Sequence, residues 1–554
     1  MRFSRPKGFI ALSCLSFLLF GCGKYSTTTL SLDLEQYQTQ SVAWGQCPAD
    51  FFLDEQARNQ NFQSQNARCG FVKVPAQYID GTALPDFKIA MMRQSATGSN
   101  KLGTLFINPG GPGGSGIEQL QWLNFPEQIR ESYDIVGFDP RGVNHSAPVS
   151  GQQIKCSTQS DYETYWVDES TPANDKEYLA TVDTLDAYYK KCAEDNPTWW
   201  TLSTKNVVDD LEIMRQVLTG NQPLNFLGSS YGTTIAAEYI TRFPKHVGRI
   251  ALDSPTTNEP AKPETEIAEA KAFEESVLRL VQGYADARGM TVDAVKKLML
   301  KVRADGDNDL LIGFAGMKVI DAANEIHQST EYMFTHGIAA LTYYETNNAQ
   351  KYFNQALDEV SGPNKWNGNF ESFALELDGY DTTTLGGSRY APNNIKRDNS
   401  FEIMDIVRSM DLDFPNDLSS AENKKLDNQI RKVSPFWTKL TSDPSNYEYK
   451  GDRLGIDWTE MAKNDDEIPD PPTAMPERTN SSGKAVLVVG SRYEATTPYV
   501  FAVKTAKDLK SPLVTFNGTG HAPLAGFDNA CLNDIFIDYF INDNLPSGSV
   551  TCDK

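Results

Sequence analysis

Residues Gly228-Ser229-Ser230-Tyr231-Gly232 decide how this chain folds. The apolar run Pro223-Leu224-Asn225-Phe226-Leu227 leads into them, and Thr233-Thr234-Ile235-Ala236-Ala237-Glu238-Tyr239-Ile240 leaves with a helical pattern. A buried strand, a turn of small residues around one serine, and then a helix make the context of a nucleophile elbow. Gly228 and Gly232 let the backbone turn without a Cβ clash, so the Ser230 hydroxyl stands out from the turn. The helix behind it offers unpaired backbone N–H groups and the positive end of its dipole. G-x-S-x-G arises by chance in long chains, and the strand and helix on either side are what make this one informative.

Other segments fit around that unit. The runs 105–107 and 135–138 are almost continuously apolar, as expected of strands covered on both faces. Shorter β-rich runs occupy 70–74, 87–92, 103–108 and 133–139, and 249–253 follows the elbow until Pro255 stops it. A helix begins at Ser203-Thr204, carries Val207, Val208, Leu211, Met214 and Leu218 on one face, and ends at Gly220. From about 259 to 477 the chain is mostly helical, acidic and irregular, with amphipathic patterns over 267–282 and 292–302. Strand character returns at 484–490 and 511–516, and 531–542 makes a closing helix. The alternation predicts an α/β architecture, a mostly parallel sheet flanked by helices, with one large, mainly helical cap insertion. The expected division is 44–258 for the first part of the core, 259–477 for the cap and 478–554 for the C-terminal part of the core.

A serine hydroxyl is a weak nucleophile near neutral pH and needs a base, which in turn needs an acid to orient it. On a strand–elbow–helix unit the chain order is serine, acid, histidine. His521, in Gly520-His521-Ala522, follows the strand at 511–516 and lies where a loop histidine reaches back to the elbow. Glu494 sits in the loop after the preceding strand and is the expected acid, with Asp528 as an alternative. Acyl transfer also requires donors for an oxyanion. Strand 103–108 runs into Pro109-Gly110-Gly111-Pro112-Gly113-Gly114-Ser115-Gly116, where glycines permit close backbone approach. Pro112 has no N–H, so Gly111 and Tyr231 are the expected donors. A phosphate-binding loop fails for want of a Walker lysine and of G-x-G-x-x-G spacing.

Composition bounds the rest. A hydrophobic share of 40% and 554 residues suffice for a large core. The formal net charge of −22, with no basic cluster to offset it, argues against nucleic acid as a partner. Basic residues 1–7 followed by the apolar run 9–20 read as an export signal too short to span a bilayer. Leu19-Phe20-Gly21-Cys22 at its end resembles a bacterial lipobox. That implies a signal peptide over 1–21, lipid on Cys22, and a flexible polar tether over 22–43. Six cysteines then remain for an exported chain, and they admit fifteen disulfide connectivities. They lie as sequence-local pairs, so Cys47–Cys69, Cys156–Cys192 and Cys531–Cys552 are expected. With five histidines and neither C-x-x-C nor H-E-x-x-H, no metal or cofactor is expected.

With these residues assembled, the chain resembles the tripeptidyl-aminopeptidase and proline-iminopeptidase family of α/β-hydrolase serine exopeptidases. The matching pieces are the glycine-rich stretch 108–116, Tyr133-Asp134-Ile135-Val136-Gly137-Phe138-Asp139-Pro140-Arg141-Gly142, the elbow, Glu494-Ala495-Thr496-Thr497-Pro498 and Gly520-His521. The resemblance spans about 44–258 and 484–552, and implies an α/β-hydrolase fold with Ser230 as nucleophile, Glu494 as acid and His521 as base. It also implies an oxyanion hole at Gly111 and Tyr231, and cap acids that bind a substrate ammonium, with Glu264, Glu266 and Glu269 at the cap's start. The family usually has Asp at the position of Glu494, and glycine at that of Asn144. An internal Asp139–Arg141 ion pair is expected to brace the loop beside the oxyanion strand.

The function expected from these readings is a lipid-anchored serine exopeptidase of a bacterial cell envelope. It would release short peptides or single residues from free N-termini through an acyl-enzyme on Ser230. A carboxylesterase or lipase with the same triad, and a peptide-binding lipoprotein of low turnover, are the rivals. Only the pocket distinguishes the first rival.

Overall fold

In a computed structural model, residues 34–52, 66–78, 84–156, 187–188, 190–257, 262–308, 310–313, 327–329, 331–344, 348–377, 399–411, 420–441 and 478–554 are described. The signal peptide, Cys22 and most of the expected tether lie outside these residues.

The strands are β1 (Ala67–Val74), β2 (Phe87–Gln94), β3 (Gly103–Asn108), β4 (Tyr133–Phe138), β5 (Ala147–Pro148), β6 (Leu224–Ser229) and β7 (Val247–Asp253). After them come β8 (Leu311–Gly313), β9 (His327–Ser329), β10 (Leu487–Tyr493), β11 (Leu513–Thr519) and β12 (Val550–Asp553). Ten form one sheet in the order β1-β2-β4-β3-β6-β7-β10-β11-β12, with β5 paired to β2. Every neighbouring pair from β4 through β12 is parallel, while β1 and β2 add an antiparallel edge. Parallel strands need crossover helices, which cover both faces and explain the unbroken apolar runs. Phe106 accordingly packs into one apolar cluster, while its neighbours Leu105 and Ile107 pack into the cluster on the opposite face.

The inserted block divides in two. Helices Pro263–Arg288, Val292–Asp307, Glu331–Tyr344 and Ala349–Ser361 enclose their own core around Val281, Val295, Phe334, Phe353 and Phe370. Helix Ser400–Asp411 does not join it. Its Ile403, Ile406, Val407 and Met410 are buried with Phe138, Val143, Leu202 and Tyr231 of the sheet domain. Spacing alone could not distinguish these two kinds of helix, because both are amphipathic.

The expected tether ends earlier than 43. A short helix, Glu35–Gln38, buries Tyr37, whose hydroxyl donates to Asp86 Oδ1 at 2.9 Å. An aromatic side chain that gains a core contact is a docking point rather than a linker. Disulfides join Cys47–Cys69, Cys156–Cys192 and Cys531–Cys552, with Cα atoms 4.8, 4.0 and 5.7 Å apart. The last ties β12, the edge strand, to the closing helix Ala530–Asn542.

Candidate active site

β6 delivers Ser230 and helix Gly232–Arg242 carries the chain away. Ser230 has φ 54°, in the left-handed region that costs a non-glycine residue about 1 kcal/mol or more. The turn is held in that conformation from outside. Ser230 N–H donates to Asp253 O at 2.9 Å, and Thr233 Oγ1 donates to Ser230 O at 2.6 Å.

Two strands away, Glu494 follows β10 and is buried. Its Oε1 accepts from His521 Nδ1, from Thr497 Oγ1 and from Thr497 N–H at 3.1 Å, while Oε2 accepts from Ser254 Oγ at 2.7 Å. Asp528 makes no such contact with His521; Glu494 is the acid at the imidazole. Burial alone would lower the His521 pKa, but the Glu494 carboxylate, by charge and hydrogen bond, and then Asp253 raise it above the ordinary imidazole value. Nε2 of His521 is buried and has no hydrogen-bond partner among the described residues. In a serine–histidine–acid set, that nitrogen is the one that takes the serine proton.

β7 lies between the elbow strand and β10 and binds the two together. Asp253 O receives the elbow N–H, and Asp253 Oδ2 accepts from Leu524 N at 3.0 Å and Ala525 N at 3.1 Å in the histidine loop. Ser254, at φ 53°, donates to Glu494 and accepts from Ala522 N–H at 2.9 Å. Burial pushes the Asp253 carboxyl up to about 7 against the pull of the Leu524 N–H and His521. From the cap, Tyr343 sets its ring on His521 with centroids 4.8 Å apart.

The glycine loop after β3 meets the elbow directly. At Gly110, with φ +97°, a Cβ would lie 2.5 Å from Tyr231 N, so the two backbones touch at a distance only glycine permits. Asn108 Oδ1 accepts the Gly110 N–H at 2.9 Å. The N–H groups of Gly111 and Tyr231 are engaged by no described residue. Two unengaged N–H groups on adjoining loops can receive a developing oxyanion.

Arg141 departs from expectation. Its guanidinium is fully buried and pairs with Asp210, through Nε at 2.8 Å and Nη2 at 2.5 Å, not with Asp139. Ala76 O, Thr201 O and Pro75 O accept its remaining donors. Asp139 instead accepts from Ser115 Oγ at 2.5 Å and lies 3.3 Å from His145 Nδ1. Both residues follow the end of β4, where strand alternation no longer orders the side chains, and each takes its own partners. Asn144 adopts φ 39°, a conformation asparagine tolerates better than most residues.

Asp253, Ser254, Thr497 and Tyr343 were not singled out from the sequence. One signal was available for the first two, since they end a strand beside the elbow, and sites in open α/β sheets form at carboxyl ends of strands. Thr497 lies in the Glu494–Pro498 stretch that the resemblance already marks, and Tyr343 carried no signal.

Residues 103–525 match the family described as alpha/beta hydrolase fold. The chain is 25% identical to "Serine protease Hip1" of Mycobacterium tuberculosis over 562 aligned residues, covering 98% of this chain and 96% of that protein. It is 34% identical to "Tripeptidyl aminopeptidase" of Streptomyces lividans over 224 residues, 38% of each chain. It is also 26% identical to "Carboxylesterase B" of Mycobacterium tuberculosis, over 92% of this chain and 89% of that one.

Proposed function

Because the chain belongs to the α/β-hydrolase fold family, we propose that it is a serine hydrolase of peptides, acting as an exopeptidase on free N-termini. The observation that carries the reading is the buried Glu494–His521 pair, tied through Asp253 and Ser254 to the strained Ser230 elbow, together with two unengaged N–H groups. In the proposed cycle, His521 Nε2 takes the Ser230 proton as Oγ attacks the scissile carbonyl. The Gly111 and Tyr231 N–H groups hold the oxyanion, and the imidazolium, stabilised by Glu494, then protonates the departing amine. Water deprotonated by the same imidazole releases the acyl group, which restores the serine.

Likeness to a serine protease over nearly the whole chain, and to a tripeptidyl aminopeptidase over part of it, supports the peptide reading, and the 26% likeness to a carboxylesterase over 92% of the chain keeps ester hydrolysis as its rival. A free amino terminus calls for a cap acid, and among Glu264, Glu266 and Glu269 our candidate is Glu269, near the start of helix Pro263–Arg288. Burial pushes its carboxyl up to about 7, against Arg408 and with Glu266, so an incoming ammonium would stabilise its ionised form. The lipobox-like sequence ending at Cys22 supports an envelope protein tethered by lipid.

The experiment compares the purified protein with its Ser230→Ala variant on chromogenic amides of one-, two- and three-residue peptides, N-acetylated versions and short-chain esters. Serine-dependent cleavage confined to free-amine peptides is the expected result. Ester cleavage alone would move the chain to the carboxylesterases, and equal cleavage of acetylated amides would remove the exopeptidase reading. Mass spectrometry of the membrane-extracted protein, with lipid on Cys22 expected, tests the anchor.

A further inference from the structure

Helix Ser400–Asp411 belongs by sequence to the inserted block, yet one end holds Tyr231 and the other holds the 139–146 loop and packs against the glycine loop beside it. At its start, Asn399 Oδ1 accepts from Asn144 N–H at 2.9 Å, and Asn399 Nδ2 donates to Gly142 O at 2.7 Å and Ile154 O at 2.9 Å. The loop so held, 139–146, is joined through Asp139 to Ser115, the N-cap that ends the glycine loop. Ser400 O also sits against that loop itself. At Gly113, with φ +100°, a Cβ would lie 2.3 Å from it.

At the helix's far end, Asp411 Oδ2 accepts from Tyr231 Oη at 3.3 Å and from Thr204 N–H at 2.8 Å. Thr204 Oγ1 adds a donation to Tyr231 Oη at 3.2 Å. Tyr231 is the residue whose own N–H is the second oxyanion donor. Between the two ends, Ile403, Ile406, Val407 and Met410 are packed into the sheet domain. The helix therefore crosses from one donor loop to the other as a rigid element with a polar clasp at each end.

We propose that this helix is a strut that sets the spacing of the oxyanion hole, with Asn399 and Asp411 as positioning residues for the Gly111 loop and for Tyr231. An oxyanion site works only if its donors already stand where charge will develop. The proximity of Gly110 to Tyr231 N leaves little tolerance, since a small slide of either loop changes the gap between the donors. A clasp on Tyr231 and one on the 139–146 loop, joined through Asp139 to Ser115 of the glycine loop, tie that gap to one helix. The physical consequence is a cap that cannot be removed without loosening the catalytic centre, even though it supplies no reacting group.

The proposal rests on the serine-hydrolase reading of Ser230, so its test uses a readout that needs no peptide. A small alkyl fluorophosphonate phosphonylates an activated serine through a transition state with negative charge on the phosphoryl oxygen, and fluoride leaves. Its second-order rate is measured on the full chain and on Asp411→Ala, Asn399→Ala, Asp411→Asn and Tyr231→Phe, beside kcat and KM on the best substrate. The two alanine variants are expected to label roughly tenfold slower or worse, with kcat falling in parallel and KM unchanged, a smaller effect than deleting a donor outright. Asp411→Asn keeps an acceptor for Tyr231 and Thr204 and should recover most of the rate.

Tyr231→Phe keeps the buried ring and loses only the hydroxyl that Asp411 holds, so it remains informative if the alanine variants do not fold. Folded variants, Tyr231→Phe included, that label at the wild-type rate would overturn the proposal. Wild-type protein that labels but cleaves no peptide would sink the peptidase reading while leaving the strut to be judged by labelling. Wild-type protein that does not label at all would sink both.

Discussion

The hydroxyl of Ser254 donates to Glu494 Oε2 at 2.7 Å, joining residues 240 positions apart. The same Ser254 oxygen accepts the Ala522 N–H, so one side chain sets both the acid and the loop that carries His521. Glu494 is one methylene longer than aspartate, and a longer side chain has more orientations to exclude. Ser254 on one oxygen and Thr497 on the other exclude them.

Replacing Ser254 with alanine removes a hydrogen bond to a carboxylate and leaves the buried Ala522 N–H without its acceptor. Such losses cost about 1–3 kcal/mol each. We expect a kcat about tenfold lower with KM little changed, and a lower melting temperature, measured by steady-state kinetics and thermal unfolding.

Glu494→Gln keeps the shape but presents neutral groups to His521. The amide cannot stabilise the imidazolium and can favour the wrong tautomer, which predicts a kcat loss of about 10³–10⁴. Because Glu494 raises the His521 pKa, the base in the wild type becomes neutral only above the ordinary imidazole value. The acid limb of kcat/KM should therefore lie above about pH 6.5 in the wild type and move to lower pH in the variant. A pH–rate profile of both proteins checks the sign.

Asp253→Asn bears on stability and on the His521 titration together. The folded-state pKa of Asp253 is raised to about 7 from 3.8, so the folded state holds this proton more tightly. Its stabilising contribution is fully present below about pH 4 and is lost once the pH passes about 7. The asparagine variant lacks that loss and should gain on the wild type between those values, by at most about 4 kcal/mol. Denaturant unfolding at pH 4, 6 and 8 measures it. Since Asp253 also raises the His521 pKa, the acid limb of kcat/KM should again move down.

Arg141→Met tests the buried pair. Asp210 would keep Tyr78 as a donor at 2.7 Å but lose its buried counter-charge, at a cost of about 3–5 kcal/mol. Combining it with Asp210→Leu should restore much of the loss, because an apolar pair leaves no buried charge. Additive losses in the double variant would show that Arg141 acts mainly through the Ala76, Thr201 and Pro75 carbonyls.

Much of the fold was legible because the sheet is built from local patterns. Buried parallel strands must be apolar throughout, and the elbow must place a glycine two residues to each side of Ser230. The runs at 105–107, 135–138 and 223–227 therefore mark strands wherever they end up in the sheet. The same logic reached Glu494, His521 and the glycine loop, since residues that do chemistry on this architecture sit in loops just after strands.

What sequence alone determined is the set of elements, their type and the chemistry-bearing loops at their ends, because strand and helix periods are written within a few residues. Tertiary structure decided which charges pair and which helix serves which core. Arg141 meets Asp210, Ser254 meets Glu494, and helix Ser400–Asp411 leaves its own block to pack beside Tyr231. Each of these contacts joins residues far apart in the chain. Their energy depends on burial and on donor geometry within a few tenths of an ångström, and neither is encoded in local pattern.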